Sequence, residues 1–300
     1  MDNTNYYKVG GVYFSADVEM VHPALFNYSP FIVAKEEAED TIFSLYRIEQ
    51  LPPIPETDPV CHVCDNGTCW YFYYNATNRY DITLHLEGNK HRVYKMQADR
   101  TWQHIYIDWQ ILDEFDSLAL NNILMLSYVA AAARRGRVLL HAACIRTSTG
   151  DALAFIGRSG VGKSTHARLW MKYLEGCNLM NDDQPVMSVE NGIPYIYGTP
   201  WSGKTPCYRQ EKAPLKMICL MKQADYNRLT PQVGIKAFTT MLSAVSIIKE
   251  QPEIYKGIVQ TLAQVIDCIS VVCLENRPER EAVNLILQIY KVNRDSSNKI

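Results

Sequence analysis

Apolar positions recur at every second residue over 80–86. Tyr80, Ile82, Leu84 and Leu86 share one face, with Asp81, Thr83 and His85 on the other. That alternation predicts a strand buried on one side. Residues 87–90, Glu-Gly-Asn-Lys, read as a hairpin turn leading into a partner strand at 91–96. Residues 102–109 predict a further strand, and 70–74 one with aromatic residues on both faces, hence covered on both sides. The proline-rich stretch 51–55 reads as a loop or linker. Over 112–135 the apolar residues are too dense for an exposed face, which predicts a long buried helix with Gly136 as its C-cap. From residue 138 the pattern changes. Strands are predicted at 138–145 and 151–156, joined by the turn 147–151 and therefore antiparallel or mixed rather than a parallel crossover. A helix follows at 164–174, then strands at 178–181, 185–189, 193–197 and 215–221, with Asn191-Gly192 as a hairpin signal. Helices at 237–248 and 253–266, a strand at 270–274 and a helix at 278–292 complete the chain. The expected class is α/β (α+β): a β-rich antiparallel domain over 1–117, then a mixed-sheet domain over 118–300.

Composition narrows the classes. Of 300 residues, 47% are hydrophobic and 21% charged, which is globular, and the net charge of −2 carries no basic signature for nucleic acid. The many Tyr and Trp residues lack interleaved Lys or Arg, so they read as core rather than as base-stacking platforms. Arg134, Arg135 and Arg137 read as a helix-end charge cluster. The longest apolar stretch, 118–133, holds two asparagines and stops at Arg134-Arg135, so no membrane span is expected. The polar start carries no signal pattern, and a cytoplasmic location is the default expectation. Six of the nine cysteines are scattered, as reduced, buried thiols would be. Cys61, Cys64 and Cys69 cluster. They read as a loop of free thiols in preference to a zinc site completed by His62 or His85, because no second Cys-x-x-Cys follows.

The most specific chemistry lies at Gly157-Arg-Ser-Gly-Val-Gly-Lys-Ser-Thr165, a glycine, four residues, then Gly-Lys-Ser. A polyphosphate has to be wrapped by backbone N–H groups, and side chains would block that approach. Gly157, Gly160 and Gly162 permit the turn, with Ser159 and Val161 between them. Lys163 supplies a point charge to the outer phosphates, and Ser164, followed by Thr165, can set its hydroxyl on Mg²⁺. A buried strand before the loop and a helix after it complete the context for binding ATP.

Asp182-Asp183 follows one helix and one strand later, a spacing that can return carboxylates to the mouth of the loop. Phosphoryl transfer to a hydroxyl needs a base for the proton and a carboxylate near the metal, and two adjacent acids can divide those roles. His141 stands on a predicted strand. Tyr197-Gly-Thr-Pro-Trp-Ser-Gly-Lys204 is a Gly/Pro-punctuated loop that could bring Thr199, Ser202 and Lys204 to a substrate or serve as a structural turn.

Three stretches together resemble the kinase domain of the HPr kinase/phosphorylase family, whose fold is similar to that of phosphoenolpyruvate carboxykinase. They are Leu140-His-Ala-Ala143, Ala154-Phe-Ile-Gly-Arg-Ser-Gly-Val-Gly-Lys-Ser164 and Asn181-Asp-Asp183. The resemblance covers residues 136–220 and, beyond that, only the order of elements. It implies a P-loop-containing kinase domain with Asp182 as the base that deprotonates a serine hydroxyl and Asp183 and Ser164 near the metal. His141 and Lys163 would complete the catalytic set. Thr165 stands where these kinases usually carry glutamate, and the first third does not resemble their N-terminal domain. HPr is therefore not the expected acceptor. The chain looks closer to HPr-kinase-like proteins that phosphorylate other hydroxyls, including those of ribosomal peptides. The expected partners are a nucleotide and a hydroxyl-bearing peptide, protein or small molecule, presented by the N-terminal part. A homo-oligomer is left open. The competing readings are a nucleotide-binding regulatory module without transfer activity and a carboxykinase-type enzyme.

Overall fold

A computed structural model describes residues 4–17, 23–65, 67–74, 79–203, 205–248 and 251–297. Two mixed sheets lie in two compact units, Met1–Arg134 with Ile248–Ile254, and Arg135–Ile247 with Tyr255–Ile300. The expected boundary at 117/118 would fall inside the long helix, which belongs instead to the first unit.

The first unit contains strands β1 (Asn5–Val9), β2 (Val12–Asp17), β3 (Ile32–Val33), β4 (Thr41–Arg47), β5 (Cys61–Asp65), β6 (Thr68–Tyr74), β7 (Arg79–Leu86), β8 (Asn89–Asp99) and β9 (His104–Ile107). Their order in the sheet is β3-β1-β2-β4-β9-β8-β7-β6-β5. The expected antiparallel sheet is in fact mixed, because β4 runs parallel to both β2 and β9. Long connections rather than hairpins lead into and out of β4, so it need not reverse direction against its neighbours. Helix α1 (Glu114–Ala132) packs Leu120, Ile123, Leu124 and Tyr128 against the sheet, capped by the Asp113 carboxylate at Asp116 N. With its final turn α1 is long and apolar enough to cross a membrane by length and composition, contrary to expectation. In this structure 67% of its apolar window is buried inside the protein.

The β7 alternation holds for Ile82, Leu84 and Leu86, which are buried. Asp81 and Thr83, expected to face solvent, are buried too, and Asp81 accepts a hydrogen bond from Gln97 Nε2 at 2.8 Å. Among the described side chains of β6, Phe72 is buried while Trp70, Tyr71 and Tyr73 are half-buried, against the expected cover on both sides. The cysteine cluster is a hairpin, not a loop of free thiols. Cys64 and Cys69 stand directly opposite each other on β5 and β6 and are joined by a disulfide, with Cys61 outside the bridge. That pairing removes two of the three thiolates a zinc site would need. No three His, Cys, Asp or Glu side chains converge as a metal-holding cluster among the described residues.

The second unit contains β10 (Val138–Leu139), β11 (Ala142–Arg146), β12 (Ala152–Ile156), β13 (Asn178–Asp183), β14 (Val186–Glu190), β15 (Ile193–Tyr197), β16 (Lys212–Gln223), β17 (Arg228–Gln232) and β18 (Ser270–Asn276). The α-helices that follow α1 are α2 (Lys163–Tyr173), α3 (Gly234–Leu242), α4 (Pro252–Ile266, whose first residues group with the first unit) and α5 (Arg280–Ser297). β12 is fully buried, with β11 antiparallel on one side and β16 parallel on the other. β13 pairs on the far side of β11, so α2 carries the chain from β12 across β11 to β13. His166, Ala167 and Trp170 face the sheet from α2 over Phe155. The Asn191-Gly192 hairpin forms as predicted, with both residues at positive φ, 50° and 77°.

One predicted strand breaks in two. Residues 138–145 divide into β10, which pairs with β14, and β11, which pairs with β12 and β13. Between them Leu140 N donates to Pro185 O and His141 N to Ala244 O, so the chain steps from one ladder to another at the histidine.

Candidate functional site

β12 ends at Ile156 and the glycine loop begins. Gly157, Gly160 and Gly162 all have positive φ, at 142°, 78° and 104°. They differ in what surrounds them. A Cβ on Gly157 would meet Met221 O and Val161 Cγ1, each at 3.0 Å, whereas Gly160 and Gly162 have nothing within 4 Å of a Cβ. The loop is tight at its root and open at its crown. No side chain caps α2, whose N-cap is Gly162, so its first N–H groups lack the usual side-chain acceptor.

Lys163 opens α2, and its Nζ donates to His141 Nε2 at 2.9 Å, Gly157 O at 2.9 Å and Arg158 O at 3.4 Å. His141 Nδ1 lies 3.1 Å from Asp183 Oδ1 and 3.5 Å from the Gln184 amide nitrogen. His141 thus stands between Lys163 and Asp183, hydrogen-bonded to the lysine and close to the carboxylate. Burial draws the Lys163 ammonium below its ordinary range, while the Asp183 and Asp182 charges work in the other direction. Both carboxylates therefore act on the same cation. Asp182 is buried at 6% exposure, and Asp183 is half-exposed.

A cleft of about 800 Å³ opens beside the loop. Its walls are Gly157–Val161, the end of β16 from Leu220 to Gln223, His141, and Ser243-Ala244 just after α3. That volume lies within the range of small-molecule sites. Gln223 Nε2 donates to Gly160 O at 3.3 Å, tying the crown of the loop to one wall.

The structure brings together His141, the 157–163 loop, Lys163, Asp182 and Asp183. Ser159 is exposed on the crown, and Ser164 and Thr165 are half-buried in the first turn of α2, where Arg168 donates to Thr165 Oγ1 at 3.5 Å. Thr199 does not serve a ligand. It is fully buried and its hydroxyl is used internally, donating to Gln184 O at 2.8 Å and accepting from Asn181 Nδ2 at 3.1 Å. Ser202 pairs with Asp183 in an isolated bridge and donates its hydroxyl to Thr205 O at 2.7 Å. Lys204 lies outside the described residues. Lys222 and Gln223 on the cleft wall were not anticipated; a signal was available, since the carboxyl end of a parallel strand beside a glycine loop is a common ligand position.

No family model matches the chain. No curated protein matches it either. Among solved structures, the Hpr(Ser) kinase/phosphatase from Coxiella burnetii is similar over 54% of this chain and 91% of its own, at 14% identity and a TM-score of 0.31. A similarity that slight carries no weight, and what the site can do rests on its own geometry.

Proposed function

We propose that the second unit binds ATP with Mg²⁺ and transfers the γ-phosphoryl group to a serine-type hydroxyl of a peptide, protein or small molecule. The observation that carries the reading is convergence: Lys163 and Asp183 meet at His141, with Asp182 next to Asp183, beside a glycine loop whose crown is open. Lys163 would leave His141 to neutralise the outer phosphates, and the N-terminus of α2 would receive phosphate oxygens. Asp182 would take the hydroxyl proton as the acceptor oxygen bonds to the γ-phosphorus and the bond to ADP breaks. The metal would arrive with the nucleotide and neutralise phosphate charge. Mg²⁺ takes one or two protein ligands and fills the rest from phosphate and water, so Asp183 and Ser164 suit it without a larger ligand cluster. The first unit would recognise the acceptor, and use of ATP accords with a cytoplasmic location.

Calorimetric titration with ATP–Mg²⁺ tests the reading. Lys163→Ala should weaken binding by about 2–4 kcal/mol, since a charge-assisted phosphate contact is lost. Wild-type affinity in a folded variant would sink it.

A further inference from the structure

Two adjacent residues on a strand point to opposite faces, so holding the Asp182-Asp183 pair at one site, with Asp183 3.1 Å from His141 Nδ1, requires a fixed backbone. The residue before them supplies the means. Asn181 is fully buried two residues before the end of β13, and its carboxamide is used on both sides. Oδ1 accepts from Asp183 N at 3.0 Å and Gln184 N at 2.9 Å. Nδ2 faces Thr199 O at 3.3 Å, Thr199 Oγ1 at 3.1 Å and Trp201 O at 3.2 Å. The oxygen side meets only donors and the nitrogen side only acceptors, so no other side chain of this size fits.

The consequence is a turn. By holding the N–H groups of both Asp183 and Gln184, Asn181 sets the turn by which the chain leaves β13, in the manner of an asparagine that hydrogen-bonds the backbone two residues on. Asp182 and Asp183 stay paired with Ala143 and Ala142 in the ladder, and the hold on the two N–H groups fixes the backbone that sets the Asp183 carboxylate 3.1 Å from His141 Nδ1. Thr199 anchors the other side, through its contact with Asn181 and its donation to Gln184 O. Gly203 N donates to Asp182 O at 3.0 Å and closes the same turn.

We propose that Asn181 is the positioning residue of this site, aligning the acidic pair for a nucleotide-borne divalent cation, with Thr199 as its anchor. The inference rests on the nucleotide-binding reading above. It assigns no contact with substrate to either residue. It predicts that loosening the turn weakens the site's response to the metal and spares the phosphate contacts of the loop.

The probe is ADP, titrated calorimetrically against the full chain in Mg²⁺ and in EDTA. In the wild type, Mg²⁺ should raise ADP affinity. In Asn181→Ala, and in Thr199→Val should the first variant not fold, that rise should shrink on the order of 10-fold or more, the range for losing a support behind a metal-associated ligand. Affinity in EDTA should stay within about threefold of wild type, because the loop, Lys163 and α2 are untouched. Asn181→Asp keeps the acceptor and removes the donor, so it should show the same selective loss. A wild-type metal response in the folded variants overturns the proposal. So does an equal loss in EDTA, which would make Asn181 a general structural residue. If the wild-type chain binds no ADP in either condition, it is the nucleotide reading that fails, and the proposal falls with it.

Discussion

Two glycine-punctuated loops in the second unit look alike in composition and do opposite things. In the 157–162 loop, Gly160 and Gly162 face open space. In the 198–203 loop, a Cβ on Gly198 would collide with Arg209 O and crowd Met180 O at 3.1 Å, and one on Gly203 would meet Asp182 O at 2.8 Å. The first pair of glycines leaves room for something outside the chain. The second pair leaves room for the chain itself. Glycine frequency cannot separate these uses, because both need the same missing atom. Asp182 joins the two loops: its backbone carbonyl is held by Gly203, and its side chain acts on Lys163.

That division can be broken at several points, and the largest effect is expected at Asp182 itself. Asp182→Asn leaves the backbone contact with Gly203 in place and removes the base. It should lower phosphoryl transfer by on the order of 10²–10⁴-fold while the melting temperature holds. Transfer followed with labelled ATP and a hydroxyl acceptor checks this; near-normal turnover would leave binding without chemistry.

A second contrast sets the open mouth against the dry underside of α2. His166 is buried there, 4.8 Å between ring centroids from Phe155, and neither ring nitrogen has a hydrogen-bond partner. Burial lowers its imidazole from 6.5 to about 4. Protonation therefore favours the unfolded chain between those values, and stability should fall as pH drops from about 6.5 toward 4, by up to about 3 kcal/mol. Urea unfolding across that window measures it, and His166→Phe should flatten the slope. An unchanged slope would show the ring to be solvated.

The glycines provide the smallest and most direct test. Gly198→Ala should destabilise the fold by about 1–3 kcal/mol, as overpacking against backbone does. Gly160→Ala meets no neighbour and should cost about 1–2 kcal/mol through its positive φ alone, with nucleotide affinity falling as the crown distorts. If Gly198→Ala weakens nucleotide binding more than Gly160→Ala does, the two loops have been assigned the wrong way round.

Much of this was legible in residue order. The strand, loop and helix at 152–173 form where their pattern places them, as does the Asn191-Gly192 hairpin. The partition of 138–145 into two strands was not legible, because Leu140 and His141 are as compatible with a continuous ladder as their neighbours. Their backbone partners, Pro185 and Ala244, come from distant segments. The mixed first sheet, the additional strand β17 and the Cys64–Cys69 bridge were missed for the same reason: each depends on which strand lies beside which. Asn181 did offer a local hint, since asparagine before two more acceptor residues favours a turn, but its second set of contacts lies at Thr199 and Trp201.

Local spacing was enough for the glycine loop, its flanking strand and helix, and the acidic pair, because a turn and a helix start are set by residues a few positions apart. Packing alone decided that His141 leaves its strand to meet Lys163, that Thr199 is buried rather than offered to a ligand, and that Asp183 comes to lie beside His141. Those outcomes depend on hydrogen bonds between segments tens of residues apart, and such bonds form only after the sheet has chosen its neighbours.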